Sequence, residues 1–309
     1  MKFFIILSIG IISLVSILFS APIKPIPIDM KVDDRKVQLG KKLFFDPILS
    51  RDGTISCASC HDLQHGGDDG MKFSIGIDGK RGNINSPTIY NAVFNFRQFW
   101  DGRAKDLKEQ VFGPIENPVE MGHSMDLTVK VLKKNNAYIK MFEAIYSDGI
   151  THENVADAIA EFEKVLITPN SSFDKYLKGD KKAISKKAKE GYALFESKGC
   201  ILCHHGINVG GNFYNKFGIY KDSNSTNLGR YNLTKREEDK YVYKVPSLRN
   251  VALTSPYMHD GRITELKEAV SLMTKYQLGR HMEEGEIDAI VCFLKSLTGE
   301  IPKIVRVEK

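Results

Sequence analysis

Four of the five cysteines are spaced for chemistry, and each pair is closed by a histidine. Cys57, Cys60 and His61 stand in SCASCHDLQHGG, and Cys200, Cys203 and His204 stand in GCILCHHG. Cys-x-x-Cys-His is the attachment signature of c-type haem: two thioethers fix the porphyrin vinyls and the next residue reaches the iron. A zinc site would gather four ligands in one place, whereas these pairs lie far apart in the chain. A thioredoxin-like pair would need neither the histidine nor a second copy. Two covalently bound haem c groups are therefore expected. Cys292, in IDAIVCFLKSL, is left over and reads as a buried structural thiol.

The elements that must position these motifs come in two copies. LGKKLFFDPILSRDGTISCASCH and EGYALFESKGCILCHH each run from a helix ending in Leu-Phe, through a short connection, into the motif. SPTIYNAVFNFRQFWDGRAKDLKEQ aligns without gaps on VPSLRNVALTSPYMHDGRITELKEA. One constant offset sets Pro87 on Pro246, Asn91 on Asn250 and Asp101-Gly102-Arg103 on Asp260-Gly261-Arg262. Such agreement indicates an internal duplication. DRKVQLGKKLFF, LTVKVLKKNNAYIKMFEAI, HENVADAIAEFEKVLI, ISKKAKEGYALFES, ITELKEAVSLMTKY and EGEIDAIVCFLKSL carry apolar residues at helical spacing. Asp, Ser or Thr precedes several of them as N-cap candidates. Strand-like alternation is scarce. The expectation is an all-α chain of two cytochrome c-like haem domains, residues 21–175 and 176–309, divided near the polar TPNSSFDKYLKGDKK.

Lys2, the apolar run from Phe3 to Phe19 and the small pair Ser20-Ala21 read as a cleaved export signal over residues 1–20. The run of about 17 residues is at the lower edge for spanning a bilayer. Export to the periplasm is expected. The formal charge of +6 counts the polypeptide alone, and haem propionates would offset much of it. No nucleic-acid signal is present. The lysines of DKKAISKKAKE read as a solvated helix face.

From about Lys36 to Pro302 the chain resembles the bacterial di-haem cytochrome c peroxidases. LGKKLFFDPILS, QFWDGRAKDLKEQ, NPVEM, FDKYLKG, PSLRNVA and QLG carry the likeness together with both Cys-x-x-Cys-His motifs. The resemblance implies reduction of hydrogen peroxide to water with electrons from a reduced c-type cytochrome or similar small donor. It makes the later haem the electron-entry site, with His204 proximal and Met273 opposite. A thioether ligand raises the haem potential and suits that duty. Without the resemblance, Met258 and Met282 compete with Met273. The earlier haem, with His61 proximal, becomes the site of O–O cleavage. There the family motif sets Glu120 as the acid–base residue and Gln110 as its hydrogen-bonding neighbour.

The family also implies Trp100 as a relay between the haems, and one calcium ion held by the Asn85 side chain and the carbonyls of Thr254 and Pro256. A homodimer is commonly implied as well. The sequence departs from the pattern at Ile77, in SIGIDGKRG, where many members carry a displaceable histidine. An aliphatic side chain cannot ligate iron, so an N-terminal site open in the oxidised state is expected. Met71 and His123 are the other conceivable ligands there, whereas His65, only four residues from His61, is expected on the proximal side. A non-catalytic di-haem electron carrier or redox sensor is the alternative reading. A relative that oxidises a protein side chain is a third, and Met273 in place of tyrosine speaks against it.

Overall fold

A computed structural model of the chain describes residues 22–306, so the expected export signal at residues 1–20 lies outside the described residues. Helices dominate. They are α1 (Asp34–Phe45), α2 (Leu107–Glu116), α3 (Met125–Leu132), α4 (Asn136–Glu143), α5 (His152–Lys164), α6 (Ser172–Leu177), α7 (Lys186–Ser197), α8 (Tyr231–Thr234), α9 (Leu266–Tyr276) and α10 (Glu284–Lys295). Among the described residues the one sheet is an antiparallel pair, β1 (Tyr214–Lys216) with β2 (Val242–Lys244), Tyr214 opposite Lys244. Short side chains start most of the helices. Asp33, Asp106, Ser124, Asn135, Thr151, Ser171 and Ser185 each accept a hydrogen bond from a first-turn backbone N–H, satisfying donors that helix geometry leaves free.

Asn135 also corrects an expectation. LTVKVLKKNNAYIKMFEAI carries one helical period but folds as α3 and α4, because the Asn135 side chain caps Ala137 and Tyr138 and restarts the helix there. The short α2 was not anticipated; Gly113 and Pro114 inside it mask its period. The stretch taken as a polar linker holds α6, whose Phe173 is fully buried against Tyr192 and Phe293.

Each half is built on a close helix crossing. Gly40 on α1 meets α5 so tightly that a Cβ would overlap the Ala158 carbonyl, and Gly191 on α7 meets the Ala289 carbonyl of α10 in the same way. Other local geometry recurs along the repeat. Asn91 and Asn250 both adopt left-handed backbone, at φ 62° and 59°. Asn91 N–H donates to the Leu166 carbonyl while its side chain accepts from Thr168 N–H; Asn250 pairs with Leu297 and Gly299 likewise. Both amides also donate to the Thr168 hydroxyl.

One apolar core lies within residues 39–159, and another joins Phe173–Leu297. The chain ends cross over between them. Ile23 is buried in the later core, and Gly206 N–H donates to the Pro22 carbonyl. Arg249, wholly buried, holds Asp174 at 2.8 Å and donates to the Lys24 carbonyl. At the other end Val305, with Ile301 and Ile304, packs against Phe44, Leu63 and Cys57.

Candidate active site and cofactor cavity

The later motif follows directly from α7. Gly199 takes φ 97°, a conformation that favours glycine, and turns the chain into a 3-10 helix over Cys200–Leu202. His204 N–H donates back to the Cys200 carbonyl at 3.0 Å. Cys200, Cys203 and His204 line one cavity, and Met273 of α9 lines it too. Much of the remaining wall is apolar, with Phe195, Leu266, Val270, Ile290 and Leu294. Burial pushes the His204 imidazole down to about 4, which keeps it in the neutral form that binds metal. Its Nδ1 is buried with no hydrogen-bond partner. Two thiols, an imidazole and a thioether in an apolar pocket match the donors of a c-type haem. Of the competing methionines, Met282 is buried in the later core, whereas Met258 shares the cavity.

The earlier motif follows a similar turn, with a 3-10 helix over Cys57–Ser59. The His61 Nδ1 lies 3.0 Å from the Gly67 carbonyl, which fixes the ring and leaves Nε2 as the free nitrogen. Burial lowers the pKa of this histidine as well. Burial also pushes the Cys60 thiol up to about 11, and nearby Glu120 contributes to the rise.

Glu120 sits in the loop after α2. Burial raises its carboxyl above the usual range, opposed by a 2.6 Å hydrogen bond from Asn117 Nδ2 and by the charge of Arg103. Asn117 was not picked out from sequence, although it opens the NPVEM motif that carries Glu120. Gln110 is half-buried on α2 but makes no side-chain hydrogen bond to Glu120. The SIGI loop locks onto this one: Ile77 N–H donates to the Glu120 carbonyl at 2.8 Å, and a Cβ on Gly76 would overlap Val119. Ile77 itself is fully buried beside Gly122. Two of the other candidate ligands are engaged elsewhere. His65 is exposed and paired with Asp62, and His123 bonds Thr128. Met71 is half-buried, and its carbonyl accepts from Asn85.

Trp100, Asn85, Thr254 and Pro256 all line the cavity of the later motif. Trp100 Nε1 donates to the Asn85 carbonyl at 2.9 Å, and Asn85 N–H donates to the His259 carbonyl. The indole meets the His259 ring edge-on at 6.2 Å. His259 is buried, stacked on Tyr243 and bonded to Ser225 Oγ at 2.7 Å. Asn85 Nδ2 donates to the Met71 carbonyl, and its amide oxygen takes no hydrogen bond among the described residues. Cys292 is half-buried against the later core, and His205 is half-buried beside Asn212.

Fold and cavity define a helical protein that presents two half-buried Cys-x-x-Cys-His turns. The family model for di-haem cytochrome c peroxidase matches residues 34–182. Cytochrome c peroxidase Ccp of Escherichia coli is 49% identical over 284 residues, covering 90% of this chain and 61% of its own length. Cytochrome c551 peroxidase of Nitrosomonas europaea is 47% identical, covering 91% of this chain and 85% of itself. That of Pseudomonas aeruginosa is 44% identical, covering 92% and 86%. A solved MauG-like protein associated with microbial copper homeostasis superposes with a TM-score of 0.79 at 27% identity, covering 90% of this chain and 93% of that one. The chain belongs to the di-haem cytochrome c peroxidase family, which implies two haem groups.

Proposed function

We propose that this protein is a peroxidase that reduces hydrogen peroxide to water with electrons from a reduced c-type cytochrome. The balance is H2O2 plus two electrons and two protons to two waters. The observation that carries the reading is Glu120: a buried carboxyl with a raised pKa, held by Asn117 beside the Cys57-x-x-Cys60-His61 turn. A pure electron carrier needs no such group.

Cys57, Cys60 and His61 would hold one haem, and Cys200, Cys203, His204 and Met273 would hold the other. When bound, the haems supply one-electron storage and the iron at which the O–O bond is cleaved. Glu120 takes a proton from one peroxide oxygen and returns it to the other, so that the departing oxygen leaves as water. Gln110 hydrogen-bonds near the same substrate, and Trp100 relays electrons from the later site. The repeated helix crossings and the paired left-handed asparagines support two duplicated cytochrome c-like domains, residues 21–175 and 176–309, with α6 at the seam. Calcium at Asn85, Thr254 and Pro256, export to the periplasm and a homodimer belong to the same reading.

Glu120→Gln is expected to cut kcat by roughly 10²- to 10⁴-fold while leaving both haem spectra intact. Turnover that survives the change would defeat the assignment. Ile77 adds a second expectation. With no ligand at that position, the oxidised enzyme should show one high-spin haem and react with peroxide without prior reduction. An EPR spectrum with both haems low-spin would contradict it.

A further inference from the structure

Lys244 closes β2 with only 6% of its surface exposed. Its backbone N–H donates to the Trp100 carbonyl at 2.7 Å. Its ammonium makes no ion pair and no side-chain hydrogen bond among the described residues. It lines the cavity that holds Cys200, Cys203, His204 and Met273, and it is the only Asp, Glu, Lys or Arg in that wall. An isolated buried ammonium costs several kcal/mol in real proteins. Desolvation alone lowers its pKa to about 8.

The rest of the wall offers no countercharge: it holds histidines, tyrosines and the two cysteines but no Asp or Glu. A lone cationic residue therefore stands in the wall of a pocket that carries no acidic residue. The cofactor read into this pocket brings carboxylates on one edge.

We propose that Lys244 is a cofactor-binding residue: its ammonium pairs with a propionate of the haem attached at Cys200 and Cys203, and so turns that edge toward Trp100. This rests on the haem reading of the cavity and deepens it. The pair makes Lys244 a determinant of the later haem's potential. A fixed positive charge beside the haem favours the reduced, less positive iron, so removing it favours the oxidised state.

The test is a spectroelectrochemical titration of the holoprotein, with haem counted per chain. Lys244→Met should keep both haems, lower the midpoint of the His/Met haem by at least a tenfold shift in its reduced-to-oxidised ratio, about 59 mV for one electron, and leave the other haem unmoved. Lys244→Arg should restore the midpoint. If Lys244→Met and Lys244→Gln lose haem at the later motif while Lys244→Arg keeps it, the charge is again what the site requires. An unchanged midpoint in fully loaded Lys244→Met overturns the proposal, as does failure of Lys244→Arg alongside the neutral variants. A wild-type chain with fewer than two haems defeats the cavity reading itself, and the proposal with it.

Discussion

The acid–base chemistry rests on how one carboxyl is poised. Burial raises Glu120, while the Asn117 amide and the Arg103 charge pull it back. A general base works as the carboxylate, so activity falls as pH drops through its pKa. Asn117→Ala removes a hydrogen bond that stabilises the charged form, and the pKa of Glu120 rises further. The acid limb of kcat/KM should therefore move to higher pH, while activity on the alkaline side of that limb is largely kept. A limb that moves to lower pH, or stays in place, would show that Asn117 does not tune this group. Sequence revealed Glu120 through its motif but not Asn117. The same holds for Lys244 and Arg249, which are charged residues in a chain rich in them. Their burial is created only when distant segments close over them.

The helices follow closely from apolar spacing and capping side chains. α1 coincides with DRKVQLGKKLFF, and α5, α7, α9 and α10 fall within their expected stretches. What escaped was governed by local competition. Asn135 interrupts a continuous period, and Gly113 with Pro114 obscures a short helix. The three-residue strands are too brief to alternate visibly. Gly40 and Gly191 could be aligned from sequence, but their purpose appears only in the helix crossings they permit. Each faces a carbonyl that a methyl group would strike. Alanine is the better helix former by about 1 kcal/mol, so propensity alone forecasts stabilisation. Packing forecasts the reverse: Gly40→Ala and Gly191→Ala should each destabilise, at the upper end of the roughly 1–3 kcal/mol typical of overpacking. Chemical denaturation of each variant decides between the two. A gain in stability would mean that the crossings are looser than the structure places them.

The halves are also strapped together in a way that no motif announces. The N-terminal segment delivers Ile23 to the later core, and the C-terminal segment delivers Ile301, Ile304 and Val305 to the cluster around Phe44, Leu63 and Cys57. Lys41 and Gln64 both donate to carbonyls of that tail, at Ile304 and Val305, each at 2.6 Å. The last residues thus complete the wall behind the first Cys-x-x-Cys-His turn, although the second turn lies between them in the chain. Ending the protein after Glu300 strips three apolar side chains from this cluster and removes the carbonyl partners of Lys41 and Gln64. Local opening follows from lost apolar contact and exposed hydrogen bonds. Hydrogen exchange should therefore quicken across α1 and residues 57–67, near the first motif. The later core, which takes nothing from residues 301–306, should keep its protection. Peroxide turnover should fall with the first site while the His/Met haem still accepts electrons. Loosening confined to the later half would mean that the tail serves the domain it follows in sequence rather than the one it packs against.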